Sequence, residues 1–167
     1  HREAPMLHNF SWVIPGLLAG SAAPGGGRGA DPLGAPSDLR ELRELGVRCL
    51  ASLTESARGF GPLCEQAGLE WLFSPIPEFG VPDDEKAFDE LMRELRRRLE
   101  QGAAVCVHCY AGVGRTGLAL CCLVGRHLGL PAGAAIRRVR ASRPALETAE
   151  QERFVRRYLR EAPAGSP

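Results

Sequence analysis

A chain of 167 residues fits one domain of ordinary size, and shares of 44% hydrophobic and 25% charged residues are typical of globular proteins. The formal net charge of +1 argues against the strongly basic surface that binds nucleic acid or acidic membranes without specificity. No run approaches the roughly 20 apolar residues that a membrane-spanning helix needs, and no secretory signal is apparent. We therefore expect a single domain over residues 1–167 that is a monomer, with neither nucleic acid nor membrane as a partner.

The six cysteines lie mostly in apolar runs, where a free thiol behaves as a small buried side chain. This pattern predicts a reducing compartment and therefore a cytoplasmic protein, in the cytosol and also in the nucleus. Cys106 and Cys109 form a C-x-x-C pair, which alone would suggest zinc or a redox pair. No second pair follows at ligand spacing, and strand alternation turns Cys106 and His108 to one face while Cys109 lies beyond the strand. We therefore expect no metal and no other cofactor.

The first half of the chain alternates short apolar segments with helices. Residues 9–20, NFSWVIPGLLAG, predict a β-hairpin or an extended entry strand. Residues 22–36 are rich in Gly and Pro and predict a flexible loop inside the domain. Ser37 is expected to cap a helix that ends at Gly46. The other elements predicted here are a strand over 47–53, a short helix near 62–67 and a strand over 69–73.

The second half continues the alternation. A long helix is predicted to begin at Asp83 or Asp84 and to end near residues 101–102. Residues 104–108, AVCVH, are apolar almost throughout, as expected for the central strand of a parallel sheet. The remaining helices are predicted over 115–128, 132–141 and 148–160. The expected fold is therefore α/β, with one mostly parallel central sheet flanked by helices.

The most specific motif is HCYAGVGRTG at residues 108–117, between the predicted central strand and a helix. Its glycines allow a tight bend that points backbone N–H groups into one concavity, and the helix N-terminus adds partial positive charge there. Arg115 can offer a planar pair of donors to two oxygens of a phosphate. The sequence therefore predicts a phosphate-binding loop. Its members are Tyr110, Ala111, Gly112, Val113, Gly114 and Arg115.

Cys109 lies at the start of this loop. A free thiol has a pKa of about 8.5, which a helix N-terminus or a neighbouring cation lowers, so an exposed nucleophilic thiolate is expected. Thr116 is expected to donate a hydrogen bond to the sulfur and to help it leave when a covalent intermediate breaks down. His108 is expected to be buried and to hold the loop through hydrogen bonds of its ring. Since Cys106 is three residues away, a disulfide with Cys109 is a further hypothesis.

A leaving alkoxide or phenoxide needs a proton from a positioned acid. The loop IPEFGVPDD, residues 76–84, contains three candidates. Glu78 is favoured because it follows a strand end and so reaches the same sheet edge as Cys109. Asp83 and Asp84 fit better as the N-cap and first-turn residues of the next helix, and they remain the alternative acids.

These stretches resemble the cysteine-based protein tyrosine phosphatase superfamily, and most of all its small atypical dual-specificity phosphatases. The matching stretches are NFSWVIPGLLAG (9–20), SLTE (52–55), IPEF (76–79), VHCYAGVGRTG (107–117) and RPALETAEQE (143–152). The resemblance implies a tyrosine phosphatase-like fold, Cys109 as phosphocysteine former and Arg115 as phosphate binder. It places Glu78 where the family normally has Asp, and it implies that Glu147 and Gln151 lie near the hydrolytic water.

The resemblance implies an enzyme that hydrolyses phosphotyrosine, and also phosphoserine and phosphothreonine, in phosphorylated protein substrates. A short chain with no inserted phosphotyrosine-recognition segment favours a shallow cleft that accepts all three. Phosphoinositide phosphatases of the superfamily place lysines between the cysteine and the arginine, and this loop has none. Removal of RNA 5′-phosphate is disfavoured by the near-neutral charge. A module that binds phosphoproteins without turnover stays open, because Glu78 replaces the usual Asp.

Overall fold

The computed structural model describes residues 7–26 and 34–161, and five strands of this part of the chain pair into one sheet. The strands are β1 (Ser11–Ile14), β2 (Leu18–Ser21), β3 (Cys49–Ser52), β4 (Glu70–Phe73) and β5 (Val105–His108). Their order across the sheet is β1-β2-β5-β3-β4. Only the β1–β2 pair, which is the predicted hairpin, is antiparallel. The prediction of a mostly parallel central sheet is confirmed.

Helices cover both faces of this sheet. They are α1 (Ala35–Glu44), α2 (Gly61–Ala67), α3 (Glu85–Glu100), α4 (Gly114–Leu128), α5 (Ala132–Arg140) and α6 (Ala149–Arg160). One apolar cluster joins α1 and α2 to the sheet around Leu39, Leu50 and Phe60. A second cluster, around Leu95, Leu118 and other buried side chains, packs the four helices α3, α4, α5 and α6 on the opposite face of the sheet. The predicted α/β fold with helices flanking the sheet is therefore confirmed, and the helices and sheet form three layers.

Strand β5 is the centre of the sheet, with β2 on one side and β3 on the other, and its four residues are buried. His108 at its end pairs with Ser21 of β2 and with Ser52 of β3. The carboxyl ends of three parallel strands therefore meet at one edge. In open α/β sheets this edge is where ligands bind.

The start of α1 differs from the prediction. The cap residue is Gly34, which makes no side-chain capping bond, and Ser37 is an exposed residue inside the first turn. The helix begins earlier because Pro36 in its first turn has a fixed φ suited to that place and lacks an N–H that would have no partner there. Two residues of the predicted loop 22–36 are therefore helical, and residues 27–33 of that loop lie outside the described part of the chain.

The start of α3 matches the prediction. Asp84 is its N-cap, and the Asp84 carboxylate accepts a hydrogen bond of 3.0 Å from the N–H of Ala87. The helix ends at Glu100, and Gly102 follows with a φ of 78°.

Within residues 7–26 and 34–161, no single helix is long and apolar enough to cross a membrane. Helices α4 and α5 reach that length only together, as a pair bent by 119°.

Candidate active site

The loop that follows β5 wraps tightly around the sulfur of Cys109. The N–H of Gly112 donates to Cys109 Sγ over 3.3 Å. Gly112 has a φ of 84°, and a Cβ at this position would lie 2.6 Å from the carbonyl oxygen of Ser21. Only glycine fits both demands, so this residue lets the loop pack against the end of β2 and aim its N–H at the sulfur.

The other N–H groups of the loop differ from that of Gly112. Among the described residues, none accepts a hydrogen bond from the backbone N–H groups of residues 110, 111 and 113–116. The last of these groups form the N-terminus of α4, where the helix contributes partial positive charge. We call residues 109–115 the phosphate cup, since this set of free donors is the arrangement that binds a tetrahedral oxyanion.

Arg115 connects the phosphate cup to the loop that contains Glu78. Its Nη1 donates to the carbonyl oxygen of Ile76 over 3.1 Å, and the side chain is only 6% exposed. Within the described part of the chain, its Nε and Nη2 donate to no other group. Two donors of the planar guanidinium therefore remain available to a bound anion.

Two expectations about the sulfur are wrong. Cys109 is 2% exposed rather than an open thiol, because residues 110–114 fold around it, so a reacting group must reach it through the phosphate cup. The hydrogen bond predicted from Thr116 to the sulfur is not formed. Thr116 Oγ1 is buried and has no hydrogen-bond partner among the described residues. The sulfur accepts from Gly112 instead.

His108 is buried, and its ring holds the loop as predicted. Its Nε2 lies 2.6 Å from Ser52 Oγ, and its Nδ1 lies 2.9 Å from the carbonyl oxygen of Cys109. The ring of Phe60 stacks on it at a centroid distance of 5.8 Å. Burial lowers the pKa of His108 from 6.5 to about 4, so the ring is neutral at neutral pH.

Arg143 is buried and binds the backbone of the phosphate cup. The sequence analysis did not predict it as a site residue. It donates to the carbonyl oxygens of Gly20 at 2.5 Å and Gly112 at 2.7 Å, and to Ser11 Oγ at 2.9 Å. It is 3% exposed, and no carboxylate of the described residues pairs with it. Burial lowers the pKa of Arg143 below its ordinary value, although a guanidinium remains charged at neutral pH. Its positive charge is therefore directed at the loop around Cys109.

Glu78 lies at the exposed tip of a turn over residues 77–80, closed by a hydrogen bond of 2.9 Å from Gly80 N–H to the carbonyl oxygen of Pro77. Both ends of this turn are attached to predicted site residues. Arg115 binds the carbonyl oxygen before it, and Gln151 Nε2 donates to the carbonyl oxygen of Gly80 over 3.1 Å. Among the described residues, no group forms a hydrogen bond with the Glu78 carboxylate. The turn is thus fixed at the cup while its carboxylate stays free.

Glu147 and Gln151 lie at the N-terminus of α4. A Cβ at Gly114 would overlap Glu147 Oε1 and would lie 3.0 Å from Gln151 Nε2. The N–H of Glu147 donates to Gln151 Oε1 over 2.8 Å, and Gln151 is fully buried. The structure therefore brings both residues next to the phosphate cup, while Asp84 serves as a helix cap.

The C-x-x-C pair is divided between the two faces of the sheet. Cys106 belongs to the cluster beneath α1 and α2, and Cys109 belongs to the opposite cluster, as strand alternation predicted. Burial raises the pKa of the Cys106 thiol to about 11, which makes it a poor partner for thiol exchange. In residues 7–26 and 34–161, no group of three or more His, Cys, Asp or Glu side chains is placed to hold a metal ion.

The chain is similar to known phosphatases. Residues 25–129 match the profile of a family described as "Polymorphic toxin system, DSP-PTPase phosphatase". Mouse cyclin-dependent kinase inhibitor 3 is 39% identical over 62 residues, which cover 37% of this chain and 29% of that protein. The phosphatidylglycerophosphate phosphatase PTPMT1 of Arabidopsis thaliana is 29% identical over 111 residues, 65% of this chain and 33% of that protein. The matched segments thus span a third or less of these two relatives.

The fold is also found in a solved structure. The crystal structure of Tk-PTP in its active form superposes with a TM-score of 0.77 and 26% identity, covering 92% of this chain and 98% of that one. Nearly all of the sheet and its helices are therefore shared with that protein.

Proposed function

Since the chain belongs to the dual-specificity and tyrosine phosphatase (DSP-PTPase) family, we propose that it removes phosphate from phosphorylated protein side chains through a phosphocysteine intermediate. One observation supports this above all others. In the part of the chain that the structure describes, the loop that begins at Cys109 has backbone N–H groups without an acceptor, and Arg115 in the same loop keeps two donors without a partner. Donors fixed in this way stabilise the equatorial oxygens of a phosphoryl group during transfer without reorganising.

The proposed reaction has two steps. Cys109 Sγ attacks phosphorus, so that an S–P bond forms as the ester P–O bond breaks, and Glu78 gives its proton to the leaving oxygen. A water molecule then attacks phosphorus and gives a proton to the Glu78 carboxylate, so that inorganic phosphate and the thiolate are released. In the second step the P–O bond to the water oxygen forms as the S–P bond breaks, and Glu78 is again protonated for the next cycle.

Two exposed aromatic residues, one in the phosphate cup and one in the turn of the proposed acid, support phosphotyrosine as a substrate. Phe79 follows the proposed acid and is 58% exposed, with a φ of 60° that is unfavourable for a bulky residue. Tyr110 in the cup is 43% exposed. Such rings gain contact area when they pack against a phenyl group. Phosphoserine and phosphothreonine bind in the same cup but have no phenyl ring to pack against Phe79 and Tyr110. We therefore propose dual specificity with a preference for phosphotyrosine.

We infer that, within the family, the chain is most similar to dual-specificity phosphatase 23. Support comes from the stretches at 9–20, 76–79 and 107–117, which combine the entry hairpin, the acid turn and the phosphate cup. We further propose a monomeric enzyme in the cytoplasm. The six cysteines are free and buried, which suits a reducing compartment.

The proposal is tested by measuring hydrolysis of para-nitrophenyl phosphate and of peptides with phosphotyrosine, phosphoserine or phosphothreonine. Phosphatidylglycerophosphate is assayed in parallel as a lipid substrate. Cys109→Ser should lose about 10⁴-fold or more in kcat, since the hydroxyl is a weak nucleophile here. Cys64→Ser, which changes a buried thiol on the opposite side of the sheet, should remain active. Acid quenching of the wild type should trap phosphate on Cys109.

Three results would overturn this function. Turnover by Cys109→Ser at the wild-type rate would exclude the phosphocysteine intermediate. Binding of phosphopeptides by the wild type without any turnover would identify a binding module instead. A rate on phosphatidylglycerophosphate that far exceeds the rate on every peptide would reassign the substrate to a lipid.

A further inference from the structure

Positive charge is concentrated at the C-terminal end of the described chain. Residues 132–161 contain eight arginines and four glutamates, with no lysine and no aspartate, whereas the whole chain has a net charge of only +1. Most of these residues lie on α5 and α6, whereas Arg143, Glu147 and Glu161 lie outside the two helices and Arg143 is buried. This part of the surface therefore attracts anionic groups although the protein as a whole does not.

A groove of about 450 Å³ runs along α6 in this region. Val81 and Phe154 contribute apolar surface to it, and four arginines and one glutamate line the rest. Arg157 is held by Glu85 through hydrogen bonds of 3.0 and 2.8 Å, with its guanidinium 5.2 Å from the centre of the Phe154 ring. Arg157 is thus held in place next to Phe154, so the groove combines an apolar surface with a positioned guanidinium group.

Two arginines of this groove have no acidic partner among the described residues. Arg153 and Arg160 are exposed and make no ion pair with any residue in 7–26 or 34–161, although both line the groove. The groove contains one acidic residue, Glu150. Two guanidinium groups are therefore free to pair with carboxylates of a partner, and planar guanidinium suits carboxylate in two-pronged contacts.

The groove begins at the active site. Val81 follows Gly80, whose carbonyl oxygen binds Gln151 on the first turn of α6, and Gln151 lies beside the phosphate cup. At about 1.5 Å of rise per residue, Arg153 and Arg160 lie about 3 and 14 Å along the helix from Gln151. An extended peptide advances about 3.3 Å per residue, so about four residues span this distance.

We propose that this groove, formed by Val81, Phe154 and the arginines of α6, binds acidic side chains of the substrate within about four residues of the phosphorylated residue. The proposal rests on the proposed protein phosphatase activity and adds the sequence preference of that activity. A concave site with apolar surface suits a peptide with one apolar side chain among its acidic residues. A membrane or a nucleic acid would need a broad basic surface, and Glu150 interrupts this one.

The test compares three phosphotyrosine peptides that differ only at the four positions on either side of the phosphotyrosine. These positions are Asp or Glu in the acidic peptide, Ser or Gln in the neutral peptide, and Lys in the lysine peptide. The wild type should have a kcat/KM about tenfold higher for the acidic peptide than for the neutral one, and the lysine peptide should be poorest. The double variant Arg153→Gln/Arg160→Gln should lose this preference. Its rate on para-nitrophenyl phosphate should not change. Arg40→Gln/Arg48→Gln, which changes an exposed arginine of α1 and the exposed residue before β3, should keep the preference.

Equal rates on the three peptides, or an acidic preference that survives in Arg153→Gln/Arg160→Gln, would overturn the proposal. Loss of binding to phosphatidylserine vesicles in that variant, with the peptide preference intact, would assign the surface to a membrane. Fluorescence anisotropy of the three peptides on Cys109→Ser measures the same preference without turnover. A wild type that fails on para-nitrophenyl phosphate yet binds the acidic peptide best would refute the phosphatase activity and retain the groove.

Discussion

Ser52 Oγ lies 2.6 Å from His108 Nε2, and this contact belongs to a hydrogen-bond chain that ends at the peptide group of Cys109. A carbonyl oxygen only accepts, so His108 Nδ1 must donate its hydrogen to the Cys109 carbonyl at 2.9 Å. His108 Nε2 is then an acceptor, and Ser52 must be its donor. Ser52 Oγ in turn accepts from the indole N–H of Trp71 at 2.8 Å. An edge strand is thus connected through two buried side chains to the peptide group of Cys109.

Ser52→Ala tests this chain. It leaves His108 Nε2 and the indole N–H of Trp71 without partners, so we expect the free energy of unfolding to fall by ~1–3 kcal/mol. We also expect kcat on para-nitrophenyl phosphate to fall by about tenfold, since the loop around Cys109 is held less firmly. Urea denaturation and steady-state kinetics measure the two effects. Ser37→Ala, an exposed change on α1, is the control, and an unchanged kcat in Ser52→Ala would refute the positioning role.

The buried His108 ring also predicts a dependence of stability on pH. Its pKa falls from 6.5 in the unfolded chain to about 4 in the fold, so between these values the unfolded state binds one more proton. This contribution is complete above about pH 6.5 and is lost as the pH falls towards 4. The slope attributable to it is roughly 1 kcal/mol per pH unit.

Denaturation curves between pH 4.5 and 7 measure this slope. The acidic residues contribute alike to the wild type and to His108→Asn, so the difference between the two curves isolates the imidazole. His127→Asn, on the last turn of α4, should follow the wild type. Parallel curves for the wild type and His108→Asn would show that the buried ring does not control this pH dependence.

Local patterns predicted the sheet and the phosphate cup. The apolar run before Cys109 predicts a buried central strand, because only such a strand is covered on both faces. The need for a positive φ at Gly112 and the six-residue spacing from Cys109 to Arg115 are also properties of adjacent residues. The turn with Glu78 was placed at the correct sheet edge since parallel strands end together.

Long-range packing decided what the sequence could not predict. Arg143 is an arginine in a loop, a position that is usually exposed, and only its contacts with Gly20 and Gly112 show that it points inward. The unpartnered hydroxyl of Thr116 and the burial of Cys109 depend on how the loop closes over the sulfur. None of these features produces a periodic or compositional signal.

Arg143→Met tests whether the buried guanidinium positions the phosphate cup. Methionine fills most of the space but cannot hold the Gly112 carbonyl, so kcat/KM should fall on the order of 10²-fold, the usual cost of a misplacement of about 1 Å. Stability should fall less than three lost hydrogen bonds suggest, because the variant no longer buries a charge. Arg143→Lys retains the charge but reaches fewer acceptors, so it should be intermediate. Arg138→Met on the exposed face of α5 is the control, and wild-type kinetics in Arg143→Met would contradict the role.

The identity of the acid is tested by comparing Glu78, whose turn is bound by Arg115, with Glu147, whose carboxylate lies near Gly114 of the phosphate cup. Glu78 has a free carboxylate on a turn fixed by Arg115 and Gln151, whereas Glu147 lies over the positive end of α4. Glu78→Gln should lower kcat on phosphotyrosine peptides by about 10²-fold and flatten the high-pH limb of the rate profile, because the variant has no proton to lose. The loss should be smaller on para-nitrophenyl phosphate, whose leaving group needs less protonation. Glu147→Gln should keep the limb and bind inorganic phosphate more tightly, since a negative charge beside the cup is removed. A flattened limb in Glu147→Gln with a normal limb in Glu78→Gln would transfer the acid role to Glu147.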